Sequence, residues 1–301
     1  MSKIYDGIMG LVIGDALGVP FEFKERDSFR CTDMTGYGTY YQPPGTWSDD
    51  SSMTLATVQG LVDCKGKINL NVIMSNFYKW YFEADFTPYN SVFDVGNTTR
   101  NAIERYSFSG FDLQHYGGGG DKVTDNGNGS LMRILPLAFV PCSIIDVGNV
   151  SALTHAHKIS VDACILYLSV VHGLLSGLTK DQAVKEALEN YQYAVVPPKE
   201  LERLECVDKL HRTQIKSTGY VVDTLEAALW CLLKTDSYKD CVLTAVNLGG
   251  DTDTIAAVAG GLAGVLYGTG GEKGIPEEWI SQIPRHKWIG KLCEQLEKIP
   301  G

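Results

Sequence analysis

The chain has 301 residues, 44% of them hydrophobic and 21% charged, with a formal net charge of −10 and a pI near 5.1. That is ordinary globular composition, and the length fits one large domain or two small ones. The acidic balance argues against a surface for the nucleic-acid backbone, which needs a stripe of Lys and Arg, and no apolar run reads as long and uncharged enough to span a bilayer.

The first predicted helix, "IYDGIMGLVIGDALG", places Ile4, Ile8, Leu11 and Val12 on one side. Its glycines Gly7, Gly10 and Gly14 weaken a helix unless another backbone comes close. Lys3 is the only basic residue before this stretch, and Asp6 and Asp15 interrupt it, which argues against a signal peptide. Glu22 follows in a loop, where most glutamates face water. A long loop then leads to helices in "SSMTLATVQGLVD", "NVIMSNFYKWYFEAD" and "NTTRNAIERY". Asp94 precedes an expected N-cap at Asn97 or Thr98, and its simplest reading is a solvated acid. In the glycine-rich loop before residue 131, the run at 117–120 reads as flexible. Pro136 makes "SLMRILPLAFV" a short or kinked element, and Arg133 within it is expected to pair with an acid.

Further helices are expected at about 144–154, 159–176, 179–191, 198–211, 222–234, 238–247, 253–268 and 286–297. Strands do not alternate with these helices, which disfavours a doubly wound α/β sheet. None of the eight cysteines forms a C-x-x-C pair, so they read as reduced, small core residues of a cytoplasmic protein.

Two stretches carry more oxygen than helix capping needs. In "TWSDDS", Ser48, Asp49 and Asp50 precede a helix, and in "NLGGDTDT" the residues Asp251, Thr252, Asp253 and Thr254 do the same. If the two helix starts meet, four carboxylates crowd together, and their repulsion must be relieved by cations or protons. Mg²⁺ or Mn²⁺ suits carboxylate and hydroxyl ligands. "DNGNGSLMR", a glycine-rich turn feeding a helix start, could cradle an anion on backbone N–H groups. Asp-x-Asp is also the nucleophile signature of aspartate-based phosphatases, where it ends a strand, but the preceding "CVLTAVNLGG" looks helical.

Taken together and in this order, "GDALGVPFEF", "GTWSDDSSM", "NGNGSLMRILPLA" and "NLGGDTDTIAAVAGG" resemble the ADP-ribosylglycohydrolase family. "FDVGNTTR" and "THAHK" also look like family segments, and the similarity runs from about Tyr5 to Gly268. The resemblance implies an all-α, orthogonally packed multi-helix domain over 1–301 with a dinuclear centre of two Mg²⁺ or Mn²⁺. It implies metal ligation by Ser48, where the family usually has threonine, and by Asp49, Asp50, Asp251, Asp253 and Thr254. It places Glu22, Asn128, Gly129, Ser130 and His155 beside the substrate, with the diphosphate on the Asn128–Ser130 loop. The implied reaction is hydrolysis of the bond between ADP-ribose and an acceptor, arginine on a protein first, by metal-activated water at ribose C1″. Asp49, Asp50 and Asp253 would stabilise charge there, and one of them, Asp94 or Glu22 would serve as base. A monomer acting on ADP-ribosylated protein is expected. The alternative is a non-catalytic ADP-ribose-binding or crystallin-like structural protein.

Overall fold

The computed structural model describes residues 2–194 and 198–299. Helix α1 (Lys3–Gly18) starts at Ser2, whose side chain accepts from the Tyr5 N–H. It is followed by α2 (Asp49–Asp63), α3 (Leu70–Glu83) and α4 (Asn97–Phe108). Three 3₁₀ turns, Val123–Asp125, Leu131–Arg133 and Leu135–Phe139, come next, with Pro136 near the start of the third, where its missing N–H is tolerated. The rest comprises α5 (Ile144–Ala152), α6 (Lys158–Leu175), α7 (Lys180–Ala194), α8 (Val221–Lys234), α9 (Tyr238–Val246), α10 (Thr252–Tyr267), α11 (Glu277–Gln282) and α12 (His286–Glu297). Among the described residues there are isolated β-bridges but no strand, so the expected all-α class is correct.

The glycines of α1 do what the sequence suggests, and their partner is α10. A Cβ on Gly10 would stand 2.4 Å from the Gly260 carbonyl oxygen, and one on Gly14 would stand 2.0 Å from that of Ala256. Contact order along the two helices is reversed, so they run antiparallel with their backbones nearly touching. Such contact is possible only where small residues face each other. The Tyr238 hydroxyl seals the pair by donating to Gly10 O at 2.7 Å. In consequence the C-terminal end of α1 lies beside the N-terminal end of α10. Helices α8 and α9 pack on α10, while α3 and α12 pack on α2.

Several local expectations change. The segment expected to be helical over 198–211 is instead a 3₁₀ run, Lys199–Lys209, broken at Cys206 (φ −115°, ψ 16°). Its buried residues Leu201, Leu204 and Val207 recur every third position, which is the 3₁₀ period. The six-residue α11 is too short to show in a periodicity. Lys3–Phe21 and Lys158–Leu175 are long and apolar enough to cross a bilayer, contrary to expectation, but 83% and 61% of these windows are buried inside the fold. The glycine run at 117–120 is not merely flexible: Gly120 N donates to Thr154 O at 2.8 Å, and Ala156 N donates to Gly120 O at 2.7 Å. All eight cysteines are free, and Cys31, Cys164, Cys231, Cys241 and Cys293 are buried.

Candidate active site

Asp15, in the last turn of α1, organises the site. Its carboxylate is fully buried and accepts from Ser48 N (2.9 and 3.1 Å), Ser51 N (3.0 Å) and Ser51 Oγ (2.5 Å). Those are N–H groups that the first turn of α2 leaves without intrahelical partners. The start of α2 is thus capped by another helix as well as by Ser48. At the same end of α1, Thr252 Oγ1 donates to Gly18 O at 2.8 Å and fixes the start of α10. Two positive helix ends therefore converge, which favours anionic side chains between them.

The two oxygen-rich clusters meet there, as the spacing suggests. Ser48 Oγ donates to Asp50 Oδ2 at 3.0 Å and Thr254 Oγ1 reaches the same atom at 3.4 Å. Thr254 N donates to Asp253 Oδ1 at 2.9 Å. Carboxylate oxygens of Asp15, Asp50 and Asp253 lie within 4.8 Å of one another, and so do those of Glu22, Asp94 and Asp253. Asp253 is common to both triplets. Asp49 is buried beside them but belongs to neither. Asp251 also stands outside the triplets, with Oδ2 accepting from Asn128 Nδ2 at 2.8 Å.

Asp94 and Glu22 depart from the solvated state their loop positions suggest. Glu22 is 5% exposed, and Asp94 is half-buried with a left-handed backbone (φ +54°) that turns it into the acid cluster. Asp15 had no assigned role in the sequence reading. Its one signal there is a lone acid in the apolar stretch "GLVIGDALGV".

Burial, followed by the neighbouring carboxylates, holds the acids of Asp49, Asp50 and Asp253 well above the usual carboxylate range. Burial and then Asp94 push Glu22 up to about 9. Burial pushes Asp15 up to about 6, against the lowering effect of its Ser51 and Ser48 hydrogen bonds. Four buried carboxylate oxygens of this site have no hydrogen-bond partner: Glu22 Oε2, Asp50 Oδ1, Asp251 Oδ1 and Asp253 Oδ2. Unsatisfied carboxylate oxygens in a closed, anionic space are the hard donor set that divalent cations such as Mg²⁺ or Mn²⁺ require. The residues present fit such ions. Both Asp15 oxygens are already engaged by α2, so Asp15 orders the ligand set.

The glycine-rich turn borders the acids. Asn128 Nδ2 also donates to Thr224 Oγ1 at 2.9 Å, and Asn128 N donates to Gly219 O at 3.0 Å. Gly129 is required by close approach: a Cβ there would stand 2.8 Å from His155 Cε1 and 2.9 Å from Thr99 Oγ1. Ser130 is buried and accepts from Cys164 Sγ at 3.5 Å. His155 Nδ1 lies 2.9 Å from Thr154 Oγ1, and burial, aided by Arg133, pulls the imidazole down to about 3, so it is neutral at pH 7. Arg133 has no acid partner, contrary to expectation. Fully buried, it donates to Val150 O (3.1 Å) and Thr154 Oγ1 (2.8 Å) and stacks 4.6 Å from the Phe77 ring.

Arg26 is a further residue that sequence reasoning passed over. Its guanidinium donates to Leu248 O (2.8 Å), Arg212 O (2.8 Å) and Ile215 O (2.6 Å). It thereby staples the loop carrying Glu22 to the two loops that flank Asp251. Backbone bonds finish the lacing: Phe23 N to Gly250 O at 2.7 Å, Gly250 N to Lys24 O at 2.9 Å, and Asp251 N to Ser217 O at 3.0 Å. Asp251 follows a turn after α9 and not a strand, which removes the aspartate-phosphatase alternative.

The helical fold thus buries a carboxylate cage, a candidate divalent-cation site, beside a glycine-rich turn. The family model described as ADP-ribosylglycohydrolase matches residues 1–300, and the chain belongs to that family. It is 35% identical over 301 residues to the ADP-ribosylarginine hydrolase Tri1 of Pseudomonas putida, covering 98% of this chain and 78% of that one. It is 32% identical to the ADP-ribosyl-(dinitrogen reductase) glycohydrolase of Rhodospirillum rubrum, with 94% and 90% covered. A solved structure titled ADP-ribosylglycohydrolase-related protein complex superposes with a TM-score of 0.82 at 28% identity, covering 99% of this chain and 97% of that one.

Proposed function

We propose that the chain hydrolyses the N-glycosidic bond between ADP-ribose and an arginine side chain of a modified protein. The observation that carries this reading is the pair of carboxylate triplets sharing Asp253, with partnerless oxygens on Glu22, Asp50 and Asp253. The similarity to an ADP-ribosylarginine hydrolase supports the choice of arginine.

Two divalent ions, Mg²⁺ or Mn²⁺, would be held by Ser48, Asp49, Asp50, Asp251, Asp253 and Thr254. When bound they supply positive charge that keeps these acids ionised and favours ionisation of water near neutral pH. The chain's own residues do the rest. Backbone N–H groups of Gly129 and Ser130 take the diphosphate, while the Asn128 N–H is held by Gly219 O. Positive charge develops at C1″ as its bond to the guanidine nitrogen lengthens, and the buried carboxylates lower the energy of that charge. A proton leaves the attacking water for the Glu22–Asp94 pair, with Glu22 Oε2 free to hold it. Water oxygen bonds to C1″, the C1″–N bond breaks with its electron pair going to nitrogen, and the Glu22–Asp94 pair passes the proton to that nitrogen, so that the acceptor departs as guanidinium. Asp15 sets the position of Asp50 through the start of α2.

The test is release of ADP-ribose from an arginine-modified protein by purified chain, before and after chelation. Activity should vanish with EDTA and return with Mg²⁺ or Mn²⁺. Asp253→Asn and Asp50→Asn should lower kcat by about 10³-fold or more while far-UV circular dichroism stays helical. Wild-type rates in either variant, or turnover that survives stringent chelation, would refute the assignment.

A further inference from the structure

Three aromatic residues stand at the rim of the acid cluster and form one continuous surface. The rings of Phe23 and Tyr40 are 6.5 Å apart, and those of Tyr40 and Phe93 are 5.0 Å apart. Phe23 and Phe93 each adjoin a site acid in sequence, Glu22 and Asp94. The Tyr40 phenol lies near both those carboxylates. The underlying loop is pinned: Thr39 Oγ1 donates to Glu22 O at 2.7 Å and Thr39 N to Pro20 O at 3.2 Å.

Packing does not account for this rim. Phe23 is 69% exposed, so it contributes little burial, and its backbone is left-handed at φ +62°. An aromatic residue seldom adopts that region and carries strain there. A strained backbone that presents a ring to water, beside carboxylates with partnerless oxygens, has the character of a binding surface. Aromatic faces above carboxylates select a flat, delocalised cation, because the ring quadrupole and the acids both attract it.

We propose that Phe23, Tyr40 and Phe93 clamp the guanidinium of the arginine acceptor. The proposal rests on the arginine-linked reading above and identifies what holds the leaving group. The nucleotide does not compete for this surface. A diphosphate on the Asn128–Ser130 turn, next to Asp251, leaves the reacting carbon and the acceptor to face Glu22 and Asp94. A serine-linked acceptor offers neither a cation nor a flat face, so the clamp favours arginine.

Steady-state kinetics on ADP-ribosyl-arginine test this, with free ADP-ribose as competitive inhibitor. Phe23→Ala and Phe93→Ala should each raise KM about 5- to 30-fold with kcat changed less than about twofold, the range expected of a cation–π contact. Phe23→Leu should behave like alanine, and Phe23→Trp should restore the wild-type KM. The Ki of ADP-ribose should not move. Phe108→Ala, which removes an 88% exposed ring from the far end of α4, is the control and should match wild type. A KM within about twofold of wild type in both alanine variants overturns the clamp. So does full rescue by leucine, which would make the contact merely apolar, or a parallel rise in the ADP-ribose Ki, which would assign the rim to the nucleotide. If wild-type enzyme cleaves no arginine-linked conjugate at all, the underlying function fails instead, and the two failures are distinguishable.

Discussion

Gly14→Ala is the substitution most informative about how this site is assembled. The added methyl group would lie 2.0 Å from Ala256 O and 2.6 Å from Ala256 C, where ordinary contact begins at 3.4 Å. Both obstructing atoms are backbone, so no side chain can swing aside, and α1 and α10 must part by roughly an ångström or more. Overpacking of this kind destabilises by about 1–3 kcal/mol. The intrinsic helix preference of alanine offsets only about 0.5–1 kcal/mol of that. Gly148→Ala is the comparator. It also lies inside a helix, α5, but its nearest foreign atom is Val161 Cγ1 at 3.4 Å, so alanine fits and should stabilise. Urea unfolding followed by circular dichroism should therefore move in opposite directions for the two variants. Because Gly18 abuts Asp253 across the same contact (2.3 Å from its Cα to a built Cβ), Gly14→Ala should also lower kcat/KM. If Gly14→Ala is as stable as Gly148→Ala, the account of a backbone-tight helix pair is wrong.

Other consequences are open to measurement. Glu22, Asp49, Asp50 and Asp253 have folded-state pKa values raised above their unfolded ones, so the stability they contribute is full at acid pH and is lost as pH rises through the folded values, about 9 for Glu22. The melting temperature of chelated protein should thus fall between pH 5 and pH 9, and Mg²⁺ should flatten the decline; a rise on alkalinisation without metal would contradict it. His155 runs the other way, with its folded value depressed to about 3 from an ordinary 6.5. Its contribution is present above pH 6.5 and drains away at about 1.4 kcal/mol per pH unit as pH falls toward 3. The stability gap between wild type and His155→Gln, measured in urea, should narrow by about 2 kcal/mol from pH 6.5 to pH 4.5, and a constant gap would refute it. Arg26→Ala should cost about 2–4 kcal/mol and reduce kcat, and Arg26→Lys should not rescue because a point charge cannot bridge three carbonyls. Wild-type kinetics in Arg26→Lys would remove the stapling role.

The helical class and the partnership of the two oxygen-rich clusters were legible because each rests on local pattern. Glycines at Gly10 and Gly14 announced a close neighbour, though only the fold shows it to be α10. What stayed hidden is tertiary. Asp94 and Glu22 look solvated in their own loops, and only the fold brings them beside Asp253 at the start of α10, with Glu22 buried and Asp94 half-buried. Asp15 hid for the opposite reason, since an acid in an apolar helix has no local purpose until α2 arrives with unpaired N–H groups. Arg133 looked like half of an ion pair, yet what it meets is carbonyls, the Thr154 hydroxyl and an aromatic ring, all but the ring through Nη2 alone. The 3₁₀ run at Lys199–Lys209 shares its three-residue spacing with an α-helical face over so short a stretch.

The antiparallel pairing of α1 with α10 brings residues near position 15 against residues near position 253. During synthesis the first half of the cage leaves the ribosome long before the second half exists. At about 5–20 residues per second the delay is on the order of ten to fifty seconds. Throughout that interval the glycine face of α1, which meets α10, has no partner, and Asp50 lacks the Asp253 it will stand beside. A chain halted before Asp251 would lack Asp253, the one acid common to both carboxylate triplets, and would leave the glycine face of α1 uncovered.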